Sequence, residues 1–198
     1  MTSSPTLVLA SGSPRRREIL DRLGYRFLVR PVDIDETPHP AEGAHAYVER
    51  LAREKARALT RPGEVILAAD TVVVLDGELL GKPCDANDAT AMLLRLSGRD
   101  HQVSTGVAVL DVDRDHLAAE VETTTVRFAP LKPAEIAWYV ASGEPMDKAG
   151  AYAIQGLGSL FVEAIDGNYS NVVGLPVPMA YRMLECHSVR PDSRDQSG

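Results

Sequence analysis

The stretch Val65-Ile66-Leu67-Ala68-Ala69-Asp70-Thr71-Val72-Val73-Val74 decides the fold class of this sequence. It is an almost unbroken run of apolar and β-branched residues, which is typical of a strand buried on both faces of a sheet. The pair Asp76-Gly77 follows and is a strong signal for a tight hairpin turn. The sequence therefore predicts a long central strand that turns back into a short antiparallel partner.

Strand and helix patterns alternate on both sides of this stretch. The first half of the chain alternates single strands with amphipathic helices, whereas two long strands follow each other directly in the middle. Such a mixture predicts an α/β protein with a mixed, twisted sheet and flanking helices. The predicted strands cover 6–10, 65–75, 78–80, 102–112, 117–128 and 159–165, and the predicted helices cover 14–23, 41–60, 87–97, 133–141 and 176–187.

The composition limits the classes of function. With 198 residues, of which 44% are hydrophobic, the chain suits one globular domain. We assign residues 1–187 to this domain, because residues 188–198 are polar and predict a disordered tail. A net charge of −7 argues against nucleic acid as a partner, since non-specific binding depends on neutralising phosphates with basic residues.

Three features of the sequence bear on its location. No apolar run approaches the length of a membrane span, and the apolar segment 7–10 is too short for the core of a signal peptide. The two cysteines, Cys84 and Cys186, lack metal-site spacing and are interpreted as reduced thiols. We therefore expect a cytoplasmic protein without a membrane partner.

Asp70 is the most informative single residue, because it interrupts the buried run. An unpaired carboxylate in such a strand costs several kcal/mol or has a raised pKa. Such a group is retained when it meets a cation, a metal ion or a catalytic role. The alternative is that Asp70 lies at a strand end and turns into solvent. The spacing of residues leaves both interpretations open.

A second cluster, Ser11-Gly12-Ser13-Pro14-Arg15-Arg16-Arg17, joins the first strand to the first helix. Ser13 is the expected N-cap, followed by proline at the first helical position. Consecutive arginines oppose the helix dipole unless they bind an anion, which guanidinium groups do bidentately. We expect Arg15 and Arg16 to contact phosphate, and interpret Arg17 as a solvated residue.

Several further polar residues are candidate site residues only if other candidates lie beside them in the fold. Lys55 lies near the apolar face of the second helix, where the residues alone favour extension of its amine to solvent over a functional role. Lys82 follows the hairpin, and Lys148 lies in a glycine-containing loop with an adjacent aspartate. Gln155 and Asn171 are amides that can recognise a base edge or satisfy loop backbone. Glu36 lies in an acidic loop, where the residues alone favour an ordinary surface charge over a functional role.

Taken in order, these motifs resemble the Maf family. The resemblance covers about residues 6–187 and depends on many short motifs in a fixed order rather than on one of them. They are Leu9-Ala10-Ser11-Gly12-Ser13-Pro14-Arg15-Arg16, Leu51-Ala52-Arg53-Glu54-Lys55-Ala56, Ala69-Asp70-Thr71-Val72-Val73, Gly81-Lys82-Pro83, Ser104-Thr105-Gly106-Val107, Asp147-Lys148-Ala149-Gly150-Ala151-Tyr152-Ala153-Ile154-Gln155-Gly156 and Asn168-Tyr169-Ser170-Asn171-Val172-Val173-Gly174.

The resemblance implies a two-lobed, ITPase-like fold and hydrolysis of a nucleoside triphosphate to its monophosphate and pyrophosphate. It implies assistance by a divalent cation, Mg²⁺ or Mn²⁺. By position, Asp70 is similar to the catalytic carboxylate of the family. Arg15, Thr71 and Gln155 are similar to its substrate-discriminating residues. The combination of Thr71 and Gln155 resembles the branch that acts on dTTP, UTP and related or modified nucleotides rather than on 7-methyl-GTP.

The expected mechanism assigns each candidate a role. Whether Asp70 is a general base, a metal ligand or both stays open at this point. The assigned residues are Asp70, Lys55 and Lys82 for catalysis, Asp70 and Glu36 for the metal ion, and Ser11, Arg15, Arg16, Thr71, Lys148 and Gln155 for the substrate.

An alternative function comes from another class. The Maf family is also linked to arrest of septum formation, so the nucleotide pocket could belong to a regulatory sensor with a cell-division partner. The presence of Asp70, Lys55 and Lys82 favours catalysis, because a sensor has less need of a carboxylate that faces phosphates. A homodimer is the commonest oligomer for such chains, and the sequence does not fix the oligomeric state.

Overall fold

A computed structural model describes residues 5–192 of the chain. The strands are β1 (Thr6–Leu9), β2 (Phe27–Val29), β3 (Glu64–Leu75), β4 (Glu78–Leu80), β5 (Asp100–Asp111), β6 (His116–Phe128) and β7 (Val162–Asp166). The α-helices are α1 (Pro14–Leu23), α2 (Ala44–Arg57), α3 (Ala86–Leu96), α4 (Pro133–Ala141), α5 (Tyr169–Val173) and α6 (Val177–Glu185). Short 3₁₀ segments cover Glu144–Asp147, Ala149–Ala151 and Leu157–Phe161.

The strands form one mixed sheet of seven strands in the order β2-β1-β3-β5-β6-β7, with β4 paired to β3. β1 runs parallel to both β2 and β3, whereas β3, β5, β6 and β7 pair in antiparallel fashion. Helices connect and flank these strands. The expected α/β class with a mixed sheet is therefore confirmed.

Strand β3 changes neighbours along one of its edges. β1 pairs with its first residues, from Glu64 to Leu67, and β4 pairs with its last residues, from Val73 to Leu75. In the part of the chain that the structure describes, no strand pairs with this edge between Leu67 and Val73. On the opposite edge, β5 pairs continuously. Within the described residues, the gap leaves the backbone beside Asp70 without a strand partner on this edge.

The two ends of β3 are anchored in different parts of the core. One cluster surrounds the β4 end of the strand and contains buried Leu75, Leu93, Phe128 and Tyr139. Other clusters surround the β1 end, where α6 packs on one face and α2 packs on the other. Since burial of apolar surface holds both ends of β3 in packed core, the gap between β1 and β4 has a fixed position.

Gly106 of β5 lets α2 lie close to the sheet. A Cβ atom at this position would lie 2.2 Å from the backbone oxygen of Val48, which belongs to α2. The same glycine is the cross-strand partner of Asp70. The sequence therefore brings α2, which carries Lys55, close to the strand that carries Asp70.

Some elements differ from the sequence predictions. Residues 159–165, predicted as a strand, form the end of a 3₁₀ segment followed by β7. The hydroxyl of Ser159 donates to Gly156 O at 2.7 Å, which closes a turn there. Helix α2 begins three residues later than predicted and ends three residues earlier. The short elements β2 and α5 were not predicted.

The packed chain extends past the predicted boundary at His187. Val189 is buried, and the backbone amide of Asp192 donates to Gly24 O at 2.9 Å. The rest of the predicted tail, residues 193–198, lies outside the described residues, so its disorder stays a prediction. Within residues 5–192, no helix combines the length and the apolar character that crossing a membrane requires.

We expect the substitution Gly106→Ala to lower the free energy of unfolding by about 3 kcal/mol, because the added methyl group meets backbone that cannot move aside. Urea denaturation followed by circular dichroism measures this loss. Gly81→Ala is the matched control, since nothing lies within 4 Å of a Cβ atom added at Gly81. Equal stability of the two variants would contradict the close approach of α2 to β5.

Candidate active site

A cavity of about 610 Å³ lies at the gap beside Asp70. Its walls come from the β1–α1 connection, the loop before α2, α2 itself, β3 and the segments around residues 81–82, 147–155 and 172–174. The cavity is lined by all ten residues to which the expected mechanism assigned a role. These are Ser11, Arg15, Arg16, Glu36, Lys55, Asp70, Thr71, Lys82, Lys148 and Gln155.

Lys55 joins two carboxylates at the floor of this cleft. Its Nζ atom lies 2.6 Å from Asp70 Oδ1 and 2.6 Å from Glu36 Oε1. The side chains of Lys55 and Asp70 are only 9% and 13% exposed. The two buried charges therefore compensate each other. Lys55 does not extend to solvent, and Asp70 lies within the strand rather than at its end.

Helix α2 also positions the loop that carries Glu36. The hydroxyl of Tyr47 donates to Glu36 O at 2.9 Å, and Arg50 Nη2 donates to Thr37 O at 3.2 Å. Burial, with the charges of Asp70 and Glu36, raises the pKa of Tyr47 to about 12, so its hydroxyl stays a neutral donor. Sequence reasoning missed Tyr47. Its spacing of eight residues from Lys55, which places both near one helix face, was the available signal.

Arg16 makes four hydrogen bonds inside the protein, although we expected it to contact phosphate. Nε donates to Gly174 O at 2.8 Å, and Nη1 donates to Ala69 O at 2.8 Å and to Ser11 Oγ at 3.1 Å. Nη2 donates to Thr71 Oγ1 at 3.0 Å. A guanidinium has five N–H donors, so one is left for a ligand. Burial lowers the pKa of Arg16, but an arginine stays charged at neutral pH.

The hydroxyl of Thr71 is directed into the protein. It accepts from Arg16 and lies 2.9 Å from Thr105 Oγ1, whose own hydroxyl reaches Asn171 O at 3.3 Å. The arrangement that satisfies all these contacts has Thr71 donating to Thr105 and Thr105 donating to Asn171. The oxygen of Thr71 is thus occupied by protein groups.

The two loop amides have different environments. Gln155 is exposed at the cleft. Asn171 is completely buried, and its Nδ2 donates to Val103 O and to Thr124 Oγ1, both at 2.9 Å. Of the two groups considered for base recognition, Gln155 is therefore the accessible one, whereas Asn171 holds α5 against the sheet.

The opposite wall of the cleft carries a charged segment. Asp147 lies 4.0 Å from Arg15 and also contacts Lys148. The backbone amide of Gly150 donates to Gly81 O at 3.0 Å. This hydrogen bond holds the charged segment next to Gly81 and Lys82. Gly150 has a φ of +67° and packs against the side chain of Val73, so a larger residue does not fit there. This contact sets the distance of Lys148 from β3.

Comparisons with known proteins show the family of this chain. A family model described as Maf-like protein matches residues 6–187. The chain belongs to the Maf family. This Maf chain is 60% identical over 181 residues to a protein of Anaeromyxobacter sp. (strain Fw109-5) named dTTP/UTP pyrophosphatase, an overlap of 90% of the chain and 87% of the relative.

Two more relatives carry the same name, dTTP/UTP pyrophosphatase. The protein of Myxococcus xanthus (strain DK1622) is 56% identical over 181 residues, which is 90% of the Maf chain and 91% of the relative. That of Syntrophomonas wolfei subsp. wolfei (strain DSM 2245B / Goettingen) is 53% identical over 178 residues, which is 89% of the Maf chain and 94% of the relative.

We expect Arg16→Lys to lower the free energy of unfolding by about 3 kcal/mol, because a lysine ammonium cannot satisfy the four acceptors around the guanidinium. Thermal or urea unfolding measures the change. The neighbouring Arg17→Lys is the control, since the Arg17 side chain is 65% exposed and pairs with Asp21 across one helical turn. If Arg16→Lys is as stable as Arg17→Lys, the buried hydrogen-bond set does not hold the cleft.

Proposed function

We propose that this chain is a nucleoside-triphosphate pyrophosphatase. It hydrolyses dTTP, UTP and related or modified nucleotides to the monophosphate and pyrophosphate. The observation that carries the proposal is the pairing of Asp70 with Lys55 inside a cleft lined by further cations. Maf-family membership and the relatives at 53–60% identity support the same reaction.

The charge of the cleft suits a polyphosphate. Five cationic side chains and three carboxylates line the cavity, a net charge of +2 in a chain whose net charge is −7. The cations are Arg15, Arg16, Lys55, Lys82 and Lys148. The N-terminus of α1 adds the positive end of a helix dipole beside Ser11. We assign Arg15, Lys82 and Lys148 to the phosphates, with Ser11 and Arg16 shaping the wall behind them.

Asp70 is placed to act on water. The hydrogen bond from Lys55 goes to Oδ1, which leaves Oδ2 able to accept a hydrogen bond from an attacking water molecule. Lys55 fixes the orientation of the carboxylate, and Lys82 stabilises negative charge that develops on the phosphates. In this mechanism the water oxygen forms a bond to the α-phosphorus as the bond from that phosphorus to the bridging oxygen breaks. The proton of the water goes to Asp70, and pyrophosphate leaves.

The donors around Lys55 fit a divalent cation. Among residues 5–192, no group of three or more His, Cys, Asp or Glu side chains is arranged as a complete metal site. Mg²⁺ in nucleotide enzymes commonly binds one or two carboxylates together with substrate phosphates. Asp70 and Glu36 provide two neighbouring carboxylates, both in contact with the Lys55 ammonium. We assign these two residues to Mg²⁺ or Mn²⁺, which when bound neutralises charge on phosphate oxygens.

Base preference is assigned mainly to Gln155. Its exposed amide offers a donor and an acceptor to a base edge, as recognition of thymine or uracil requires. Thr71 acts indirectly in this scheme, because its hydroxyl holds Arg16 rather than the nucleotide. We propose that Arg15 completes the recognition from the phosphate side.

The remaining sequence-based expectations are also proposals. We expect a cytoplasmic protein that acts on a small nucleotide rather than on nucleic acid. A homodimer is the commonest oligomer for such chains, and the sequence leaves the oligomeric state open. A role in septum formation, with a cell-division partner, is the second function that the sequence suggested. No contact among the described residues favours this role over hydrolysis.

The test is release of pyrophosphate from dTTP, UTP, CTP, GTP and 7-methyl-GTP, with Mg²⁺, with Mn²⁺ and with EDTA. We expect turnover with either metal, about tenfold or more in favour of dTTP and UTP over 7-methyl-GTP, and loss of turnover in EDTA. The 7-methyl-GTP arm and the detection of pyrophosphate rather than orthophosphate exclude a contaminating general phosphatase. Absence of turnover with every nucleotide, from folded protein, would make the regulatory function the leading one.

A further inference from the structure

Asp147 lies between two of the cations assigned to phosphate. Its carboxylate lies 4.0 Å from Arg15 Nη1 on one side and contacts the ammonium of Lys148 on the other. Arg15 belongs to α1, whereas Asp147 and Lys148 lie at the end of the 3₁₀ segment Glu144–Asp147 and just after it. The three side chains therefore connect opposite walls of the cleft.

The burial of the three residues is unequal. The Lys148 and Arg15 side chains are 14% and 30% exposed, whereas the Asp147 side chain is 67% exposed. The cations are thus part of the cleft wall, and the carboxylate reaches them from the solvent side. Since ion pairs with an exposed partner contribute little stability, a ligand with several negative charges can replace this one.

Asp147 is ionised in this position. Burial alone would raise its pKa, but the hydrogen bond from Lys148 and the charge of Arg15 lower it below the usual range. Without this carboxylate, the two cations would face each other across the empty cleft with no compensating charge between them. Coulomb repulsion between like charges would then favour separation of the walls.

We propose that Asp147 is an internal counter-anion that occupies the phosphate position of Arg15 and Lys148 and gives way to the incoming polyphosphate. The counter-anion proposal rests on the proposed function in one respect, which is that the ligand is a polyphosphate. Asp147 then competes with every phosphate ligand, including the product pyrophosphate. It weakens product binding and returns to the cations when pyrophosphate leaves.

This role differs from that of the carboxylates at the cleft floor. Among residues 5–192, no ion pair links Asp147 with Lys55, the residue that joins Asp70 and Glu36. A metal-binding role for Asp147 would give the opposite result on substitution, because loss of the carboxylate would weaken metal-assisted binding of phosphate. Measurement without divalent metal separates the two roles.

The experiment measures binding of pyrophosphate to the full chain by calorimetry, in EDTA. We expect Asp147→Asn to bind pyrophosphate about three- to tenfold more tightly than the unsubstituted protein, because the competing charge is gone. Glu163→Gln is the control for net charge, since Glu163 is exposed on β7 and does not line the cleft. We expect the affinity of Glu163→Gln for pyrophosphate to equal that of the unsubstituted protein. In an Arg15→Gln background, the gain from Asp147→Asn is expected to shrink.

Three results would overturn the proposal. They are equal or weaker binding by Asp147→Asn, an equal gain in Glu163→Gln, and no measurable binding of pyrophosphate by any variant. Asp147→Ser serves as a second variant, and an unchanged thermal unfolding midpoint confirms that each variant is folded. The readout needs no turnover. A protein that gains affinity in Asp147→Asn but hydrolyses no nucleotide would support the counter-anion and contradict the proposed function.

Discussion

The contact of the Lys55 ammonium with Asp70 and Glu36 is the interaction on which the cleft depends. A carboxylate inside a buried strand is stable only if a cation reaches it, and the cation here comes from a helix on one face of the sheet. That helix must lie close, which Gly106 permits. The same helix orders the loop that bears Glu36. One ion cluster thus links strand, helix and loop, and it fixes the orientation of the Asp70 side chain at the floor of the cleft.

The opening of the cleft creates a second requirement, which Arg16 meets. Where β3 passes from β1 to β4, the carbonyl of Ala69 has no strand partner on that edge within the described chain. Arg16 donates to it and, through Ser11, Thr71 and Gly174, ties three walls together. An unsatisfied buried carbonyl is costly, so the gap exists because a buried guanidinium completes its hydrogen bonds. Arg16 therefore serves the stability of the cleft wall, while Arg15 and Lys148 remain at the surface of the cleft.

Local signals predicted much of this arrangement. The run around Asp70 gave β3 and its hairpin, and Ser13-Pro14 gave the start of α1, because each signal is complete within a few residues. The inward direction of Arg16 was also readable in principle, since Ile19 and Leu20 follow it by three and four residues on one helix face. Elements that are stabilised by residues distant in the sequence could not be predicted. The 3₁₀ segment near Ser159 depends on packing against α4, and α5 depends on the cap by Asn168 and on the burial of Asn171.

The central claim, that hydrolysis depends on the carboxylate held by Lys55, is tested most directly by the turnover of Asp70→Asn with dTTP. Asparagine keeps the shape of the side chain but can neither take a proton from water nor offer a charged ligand. We expect kcat to fall by about 100-fold or more, with the fold intact by circular dichroism. Asp76→Asn is the control, because Asp76 is exposed in the turn after the same strand and pairs with Arg99. Nearly full activity of folded Asp70→Asn would contradict the assignment.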